Sequence, residues 1–428
     1  MEAMAQPLPK LRMDLDFMPS PFEDRPGLLI RDPHLYSDAT LIIPPPLVQC
    51  LQRFDGRGTD LDLRADLVRL TGSLNVSRIQ ENLVGTLSQA GFLENETFFR
   101  LRDQRHQEFS AAPVREPTHA GSAYPEDPDE LRGFLEGYLA RAGDVSAVAG
   151  AVGVAAPHVS PEGGWKMYAA AYRAIPEEAA SRTFVILGTS HYGLPGRFGL
   201  TRKPFRTPYG IAETETRLVE RLAEQAPGAA VLEDYCHRTE HSIEFQVVFL
   251  QHRFGADIRI LPILCGSFSE SVASGRLPEE SEPVRRFFDA LAGLADEEGD
   301  NLFWVLGIDM AHIGRRYGDP FAARANQGVM SEVAERDRRR IGRLAAGDPA
   351  GFWRLVCERE DDLKWCGSSP LYTFFKAVPD ARCLLLGYEQ WNIDEASVVT
   401  FGALAMQRDH QPEGPGPDRC GTSDEGAS

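Results

Sequence analysis

What the sequence lacks narrows the field first. No apolar run approaches the roughly 20 residues of a membrane-spanning helix, and the longest runs are strand-length. Positive charge is not in excess: 45 Lys and Arg stand against 63 Asp and Glu, a formal charge of −18. Neither nucleic acid nor a membrane surface is therefore an expected partner. A Walker-type phosphate loop is missing, as is a Rossmann glycine fingerprint in its strand-to-helix context. So are a Cys-x-x-Cys pair and a Gly-x-Ser-x-Gly elbow. Nucleotide-binding and serine-hydrolase readings fall away with them. The seven cysteines are scattered without paired spacing, which suits a reducing compartment, and no basic-then-apolar leader opens the chain. The expected location is the cytoplasm.

What is present is enough for a real core: 43% of 428 residues are hydrophobic, a length that allows two or three domains. The chain is organised around Phe184, Val185, Ile186 and Leu187, a short apolar run that ends at Gly188 and reaches His191 three residues later. Such a run reads as a strand buried on both faces. The design recurs twice. Residues 148–156 run into Pro157 and His158, and residues 302–307 run into Asp309 and His312. Side chains just past the carboxyl ends of strands in an open α/β sheet converge on one crevice. Three such strands, each delivering a histidine, predict a single site.

The N-terminal part reads differently. Residues 1–27, rich in proline, methionine and acids, read as an arm. Residues 28–32 and 40–44 read as short strands. Apolar residues at helical spacing follow: Leu47, Leu51 and Phe54; Leu61, Leu63, Leu67 and Leu70; Val76, Ile79, Leu83 and Leu87. Residues 97–101 read as a last strand. This small α+β arrangement over 28–102 resembles a winged-helix module or a PqqD-like peptide-recognition module. The first 110 residues hold 12 basic and 16 acidic side chains, interleaved, which argues against a DNA-reading face. Residues 103–116 are expected as a linker.

Residues 117–407 read as an α/β domain, a central, largely buried sheet with helices on both faces. Asp127, Pro128 and Glu130 mark a helix start, and Gly143 its end. Ile243, Val247, Leu250 and Phe254 form one stripe of an amphipathic helix. A helix is expected after Cys366, with a serine cap and Pro370 at its first position. Residues 408–428, including Cys420, read as a disordered tail.

The polar set at strand and helix ends is His158, His191, Glu240, His241, Asp309, His312 and Cys366. Histidines after buried strands are costly to desolvate unless hydrogen-bonded or metal-bound. Cys366 precedes a helix start, where the helix's positive end favours thiolate. A thiolate with two imidazoles is a set that iron, copper or zinc accepts. Cys236, His237 and His241 form a rival local cluster.

Six separated motifs carry a further resemblance: residues 121–125 (Gly-Ser-Ala-Tyr-Pro), 156–158, 187–191, 240–244 (Glu-His-Ser-Ile-Glu), 309–312 and 365–367. In order and spacing they resemble the Memo family, whose bacterial and archaeal relatives are called AmmeMemoRadiSam system protein B. That family is similar to LigB-type class III extradiol dioxygenases. The resemblance implies His158, His191 and Cys366 as ligands of iron or copper, with zinc as an alternative. It implies His312 as an acid/base residue, with Asp309, His241 and Glu240 lining the site. It departs at residues 159–162 and at Tyr192, which alter the pocket wall. The implied functions are a metal-dependent oxidoreductase, a non-catalytic holder of a peptide, or an accessory of a radical-SAM partner protein.

Overall fold

The computed structural model describes residues 5–141 and 146–409. The expected helix end at Gly143 lies outside these residues. So do Cys420 and the expected tail from residue 410 onward.

The N-terminal part opens with a three-stranded antiparallel sheet, β1 (Asp16–Pro19), β2 (Leu28–Arg31) and β3 (Thr40–Ile43). Four helices follow: α1 (Pro45–Val48), α2 (Asp60–Thr71), α3 (Ser77–Gln89) and α4 (Glu96–Ala111). The arm expected over 1–27 is instead folded onto this unit. Leu8, Leu11 and Leu15 are buried, and the buried Arg12 guanidinium grips Asp32 at 2.8 Å. The strand expected at 97–101 is helix, because Asn95 caps α4 by accepting from the backbone N–H groups of Thr97 and Phe98, a signal that outweighs the β-propensity of Thr97, Phe98 and Phe99. The segment 103–116 is not an extended connector. It continues α4, whose Phe109 is buried, and ends at a buried Arg115.

The larger part alternates strands and helices. In chain order these are α5 (Pro128–Arg141), β4 (Ala151–Ala156), α6 (Pro161–Ala174), β5 (Thr183–Thr189) and β6 (Phe198–Leu200). Next come β7 (Phe205–Thr207), β8 (Gly210–Thr214), α7 (Thr216–Gln225), β9 (Ala230–Val231) and α8 (His241–Phe254). Then follow β10 (Arg259–Cys265), α9 (Ser269–Ser274), α10 (Glu282–Glu298), β11 (Leu302–Gly307) and β12 (His312–Gly314). The chain closes with α11 (Val329–Ala345), α12 (Pro349–Cys357), α13 (Ser368–Ala377), β13 (Ala381–Asp394) and β14 (Ser397–Arg408).

Among the described residues these strands form one mixed sheet whose main path is β12-β14-β4-β11-β5-β10-β6-β9. Its centre, β4-β11-β5-β10, is parallel throughout. Along β5, Val185 and Leu187 join the core on one face and Phe184 and Ile186 the core on the other, which is why the run carries no polar alternation. Helices α6 and α8 pack on one face and α13 on the other. Two expectations change here. Helix α8 is buried from Ser242 to Gln251 on every side rather than along one stripe, since it is sandwiched between the sheet and α6. Helix α13 starts at Ser368 after Gly367, so Pro370 is its third residue. No helix among the described residues is long and apolar enough to cross a membrane.

Candidate metal centre

The parallel register places three polar residues at one height. His158, His191 and Asp309 each stand two residues beyond the last residue of β4, β5 and β11, and these strands are adjacent in the order β4-β11-β5. A fourth contribution comes from α8, whose first residue is His241 and whose N-cap is Glu240. The close approach of this helix end to the strand ends depends on two glycines that face each other in register, Gly188 and Gly307. A Cβ at Gly307 would stand 2.0 Å from the Ser242 carbonyl oxygen, and one at Gly188 would stand 2.6 Å from Ser242 Oγ. With both side chains absent, Ser242 Oγ donates to the Thr189 carbonyl at 2.8 Å.

The imidazoles meet as a result. His158, His191 and His241 can each direct one ring nitrogen to a common region in which the donor atoms lie within 4.8 Å of one another. The outer nitrogens of two of them are fixed. His158 Nδ1 lies 3.0 Å from the Gly307 carbonyl, and His191 Nδ1 lies 3.0 Å from Glu240 Oε1. This turns Nε2 of His158 and His191 toward the common region, the arrangement that metal-bound histidines use. Burial holds His158 and His241 below the ordinary histidine range, and thus neutral, as a ligand must be. Around His191 burial acts the same way, but the Glu240 carboxylate outweighs it and the pKa rises. Burial opposes the Glu240 charge too, and His191 and His241 more than compensate, holding the carboxyl well below its usual range. The donor set fits a metal ion: three imidazoles, two of them backed by fixed oxygen acceptors.

Cys366 comes to the same place from the other side. Its Sγ lies 3.4 Å from His158 Nε2 and 3.6 Å from the Asp309 carbonyl. The expectation of a thiolate favoured by the helix end does not hold. Burial, reinforced by the Asp309 carboxylate, pushes the thiol well above its ordinary value. Asp309 itself anchors the crevice: Oδ1 accepts from the His158 N–H at 3.0 Å and Oδ2 lies 3.4 Å from His158 Nε2. His312 opens β12 with Nδ1 3.1 Å from the carbonyls of Met310 and Lys364, and burial lowers its pKa to about 4. A cavity of about 530 Å³ opens beside His191 and Cys366, with Thr189, Lys364 and Phe268 among its walls.

The part of the chain that builds this constellation matches a known family. The family model described as Memo-like protein covers residues 115–405. The chain belongs to the Memo-like protein family. A MEMO1 family protein of Thermococcus kodakarensis is 32% identical over 307 residues, spanning 69% of this chain and 100% of that protein. One from Aquifex aeolicus is 28% identical over 337 residues, 79% of this chain and 82% of that protein. One from Thermus thermophilus is 28% identical over 292 residues, 67% of this chain and 81% of that protein.

The Memo-like motifs now have physical explanations. In the Glu-His-Ser-Ile-Glu block, Glu240 holds His191, His241 joins the imidazole cluster, Ser242 ties the helix to β5, and Ile243 packs in the core. Glu244 is the buried anchor: it accepts from Arg115, from Tyr124 Oη and from the N–H of His119. The Tyr124 of the Gly-Ser-Ala-Tyr-Pro motif is thereby joined to the helix that carries His241. Sequence reasoning placed His241 on the wall of the site, whereas the structure puts its ring in the cluster. The signal was its position directly after Glu240, the N-cap acid of α8. Arg115, fully buried, fell within the segment expected as a linker. Cys236 and His237 join no three-ligand group among the described residues. Instead, His237 Nε2 lies 3.0 Å from the Gly199 carbonyl.

Proposed function

We propose that this Memo-like protein is a mononuclear metal-binding protein with a dioxygenase-like pocket, in which His158, His191 and His241 hold the ion and Cys366 is a fourth donor. The observation that carries the reading is the convergence of three ring nitrogens within 4.8 Å at the carboxyl ends of parallel strands, with the outer nitrogens of two rings already committed. Soft sulfur beside imidazole favours iron or copper, with zinc as the non-redox alternative. Bound iron or copper would supply one-electron chemistry and a polarising charge for a substrate oxygen.

The protein's own residues would do the rest. The cavity of about 530 Å³ suits a small molecule, and the Lys364 ammonium at its wall is held by Asp319 at 2.9 Å. His312 presents Nε2 as a proton acceptor, because its Nδ1–H is engaged by two backbone carbonyls. Asp309 holds the His158 backbone and ring in place. Glu240 does the same for His191.

Elemental analysis of protein purified without chelator tests the reading, with His158→Ala, His241→Ala and Cys366→Ser in parallel. The expected result is about one iron or copper per chain in the wild type. Loss is expected in both histidine variants, and weakened retention in the serine variant. Wild-type protein that is folded, metal-free and unable to take up added iron or copper would overturn it. The alternative of a crevice that holds a peptide without metal would then stand.

A further inference from the structure

A second cavity, of about 230 Å³, lies where the N-terminal part meets the sheet domain. Ser190, the residue before His191, lines both this cavity and the larger one. His34, Tyr36 and His106 line it from the N-terminal side, and Tyr192, Tyr235 and Arg197 from the other.

The aromatic wall is held rigidly. Tyr36, His106 and Tyr235 stack mutually with centroids 4.4 to 5.5 Å apart, and Tyr192 meets the His34 ring edge-on at 5.2 Å. Their polar tips are committed within the protein. His106 binds Tyr36 Oη at 3.3 Å and Glu233 at 3.0 Å, Tyr235 Oη donates to the His34 carbonyl at 3.0 Å, and His34 Nε2 lies 3.5 Å from Asp14. Glu233, the acid in the wall, also accepts from the Tyr235 N–H. Arg197 stands apart. Among the described residues its guanidinium donates to the Gly196 carbonyl at 3.1 Å and pairs with no carboxylate.

A void left by imperfect packing is apolar and dry. This one combines aromatic side chains with an arginine that pairs with no carboxylate in its lining, the composition of a ligand site. Aromatic side chains receive a planar ring edge-to-face, and a half-buried guanidinium matches a carboxylate through two parallel hydrogen bonds. The volume equals that of about eight liquid waters, room for one ring with a short acidic arm and too little for a folded peptide.

We propose that this cavity is a binding subsite for a small single-ring aromatic carboxylate, completed by the N-terminal part and oriented by Arg197. It needs no metal, so it stands or falls independently of the proposed centre. The test uses chelator-treated full-length protein and phenylacetate as probe, followed by calorimetry and saturation-transfer NMR. Saturable binding is expected. It should weaken roughly tenfold or more in Arg197→Gln, in His34→Ala, and when 2-phenylethanol replaces phenylacetate, with partial recovery in Arg197→Lys. Circular dichroism checks each fold, and Arg197→Gln decides if His34→Ala unfolds. Equal binding of the acid and the alcohol, unchanged affinity in Arg197→Gln, or no saturation at about 10 mM phenylacetate, where even a millimolar ligand is mostly bound, would overturn the proposal.

Discussion

Glu240 concentrates several demands in one side chain. It caps α8 by accepting from the Ser242 N–H at 3.0 Å, takes the His191 backbone N–H at 2.8 Å, and orients the His191 ring. Glu240→Gln keeps the size and the capping oxygen but removes the charge and one acceptor. Metal affinity should fall by about 10- to 100-fold, the usual effect of losing an outer-shell partner, while thermal unfolding changes little. Competition against a chelator of known affinity measures the first and calorimetry the second. Unchanged affinity would make Glu240 a helix cap and nothing more. The sequence placed Glu240 at a helix start and, by resemblance, on the wall of the site, but did not show its grip on His191. Its bond to a residue 49 positions away is a tertiary fact that no local pattern encodes. Cys366 shows the opposite error: its place near a helix start was legible, but the cost of burying the thiolate, set by neighbours such as Asp309, was not.

At the level of elements, the buried strands were readable because apolar residues on both faces have one interpretation at that length. Helix α4 was misread because Thr97, Phe98 and Phe99 favour strand locally, and the Asn95 cap decides otherwise. The same helix carries the chain to Arg115, whose guanidinium donates to the carbonyls of His237 and Glu240 and to the Glu244 carboxylate. This ion pair is wholly buried, and removing one partner of such a pair costs about 3–5 kcal/mol. Two truncations separate the roles. A chain starting at residue 112 keeps Arg115 and should fold with reduced stability, having lost the packing of Phe109 against Tyr235. A chain starting at residue 117 leaves Glu244 a buried, unpaired charge and should be less stable again by that amount, or fail to fold. Urea unfolding of the two chains gives the comparison. Equal stability would show that Arg115 is replaceable by solvent.

The whole molecule gathers its centre from distant stretches. His158 and Cys366 touch across 208 residues of sequence, and His158 and Asp309 across 151. A chain in the act of folding therefore holds no partial version of the centre: before β4, β11 and β5 align, the histidines are strangers to one another. Such long-range contacts form late and slowly. An ion that binds only the finished arrangement stabilises the native state without stabilising the transition state. Metal should then act as a lock on the way out rather than a guide on the way in. With saturating ion the unfolding rate should drop, and the refolding rate should match that of the metal-free chain. Stopped-flow unfolding and refolding in denaturant, with and without metal, reads both. Faster refolding in metal would mean that the crevice closes early. Otherwise the hold of a bound ion on this fold would be measured in the lifetime of the native state.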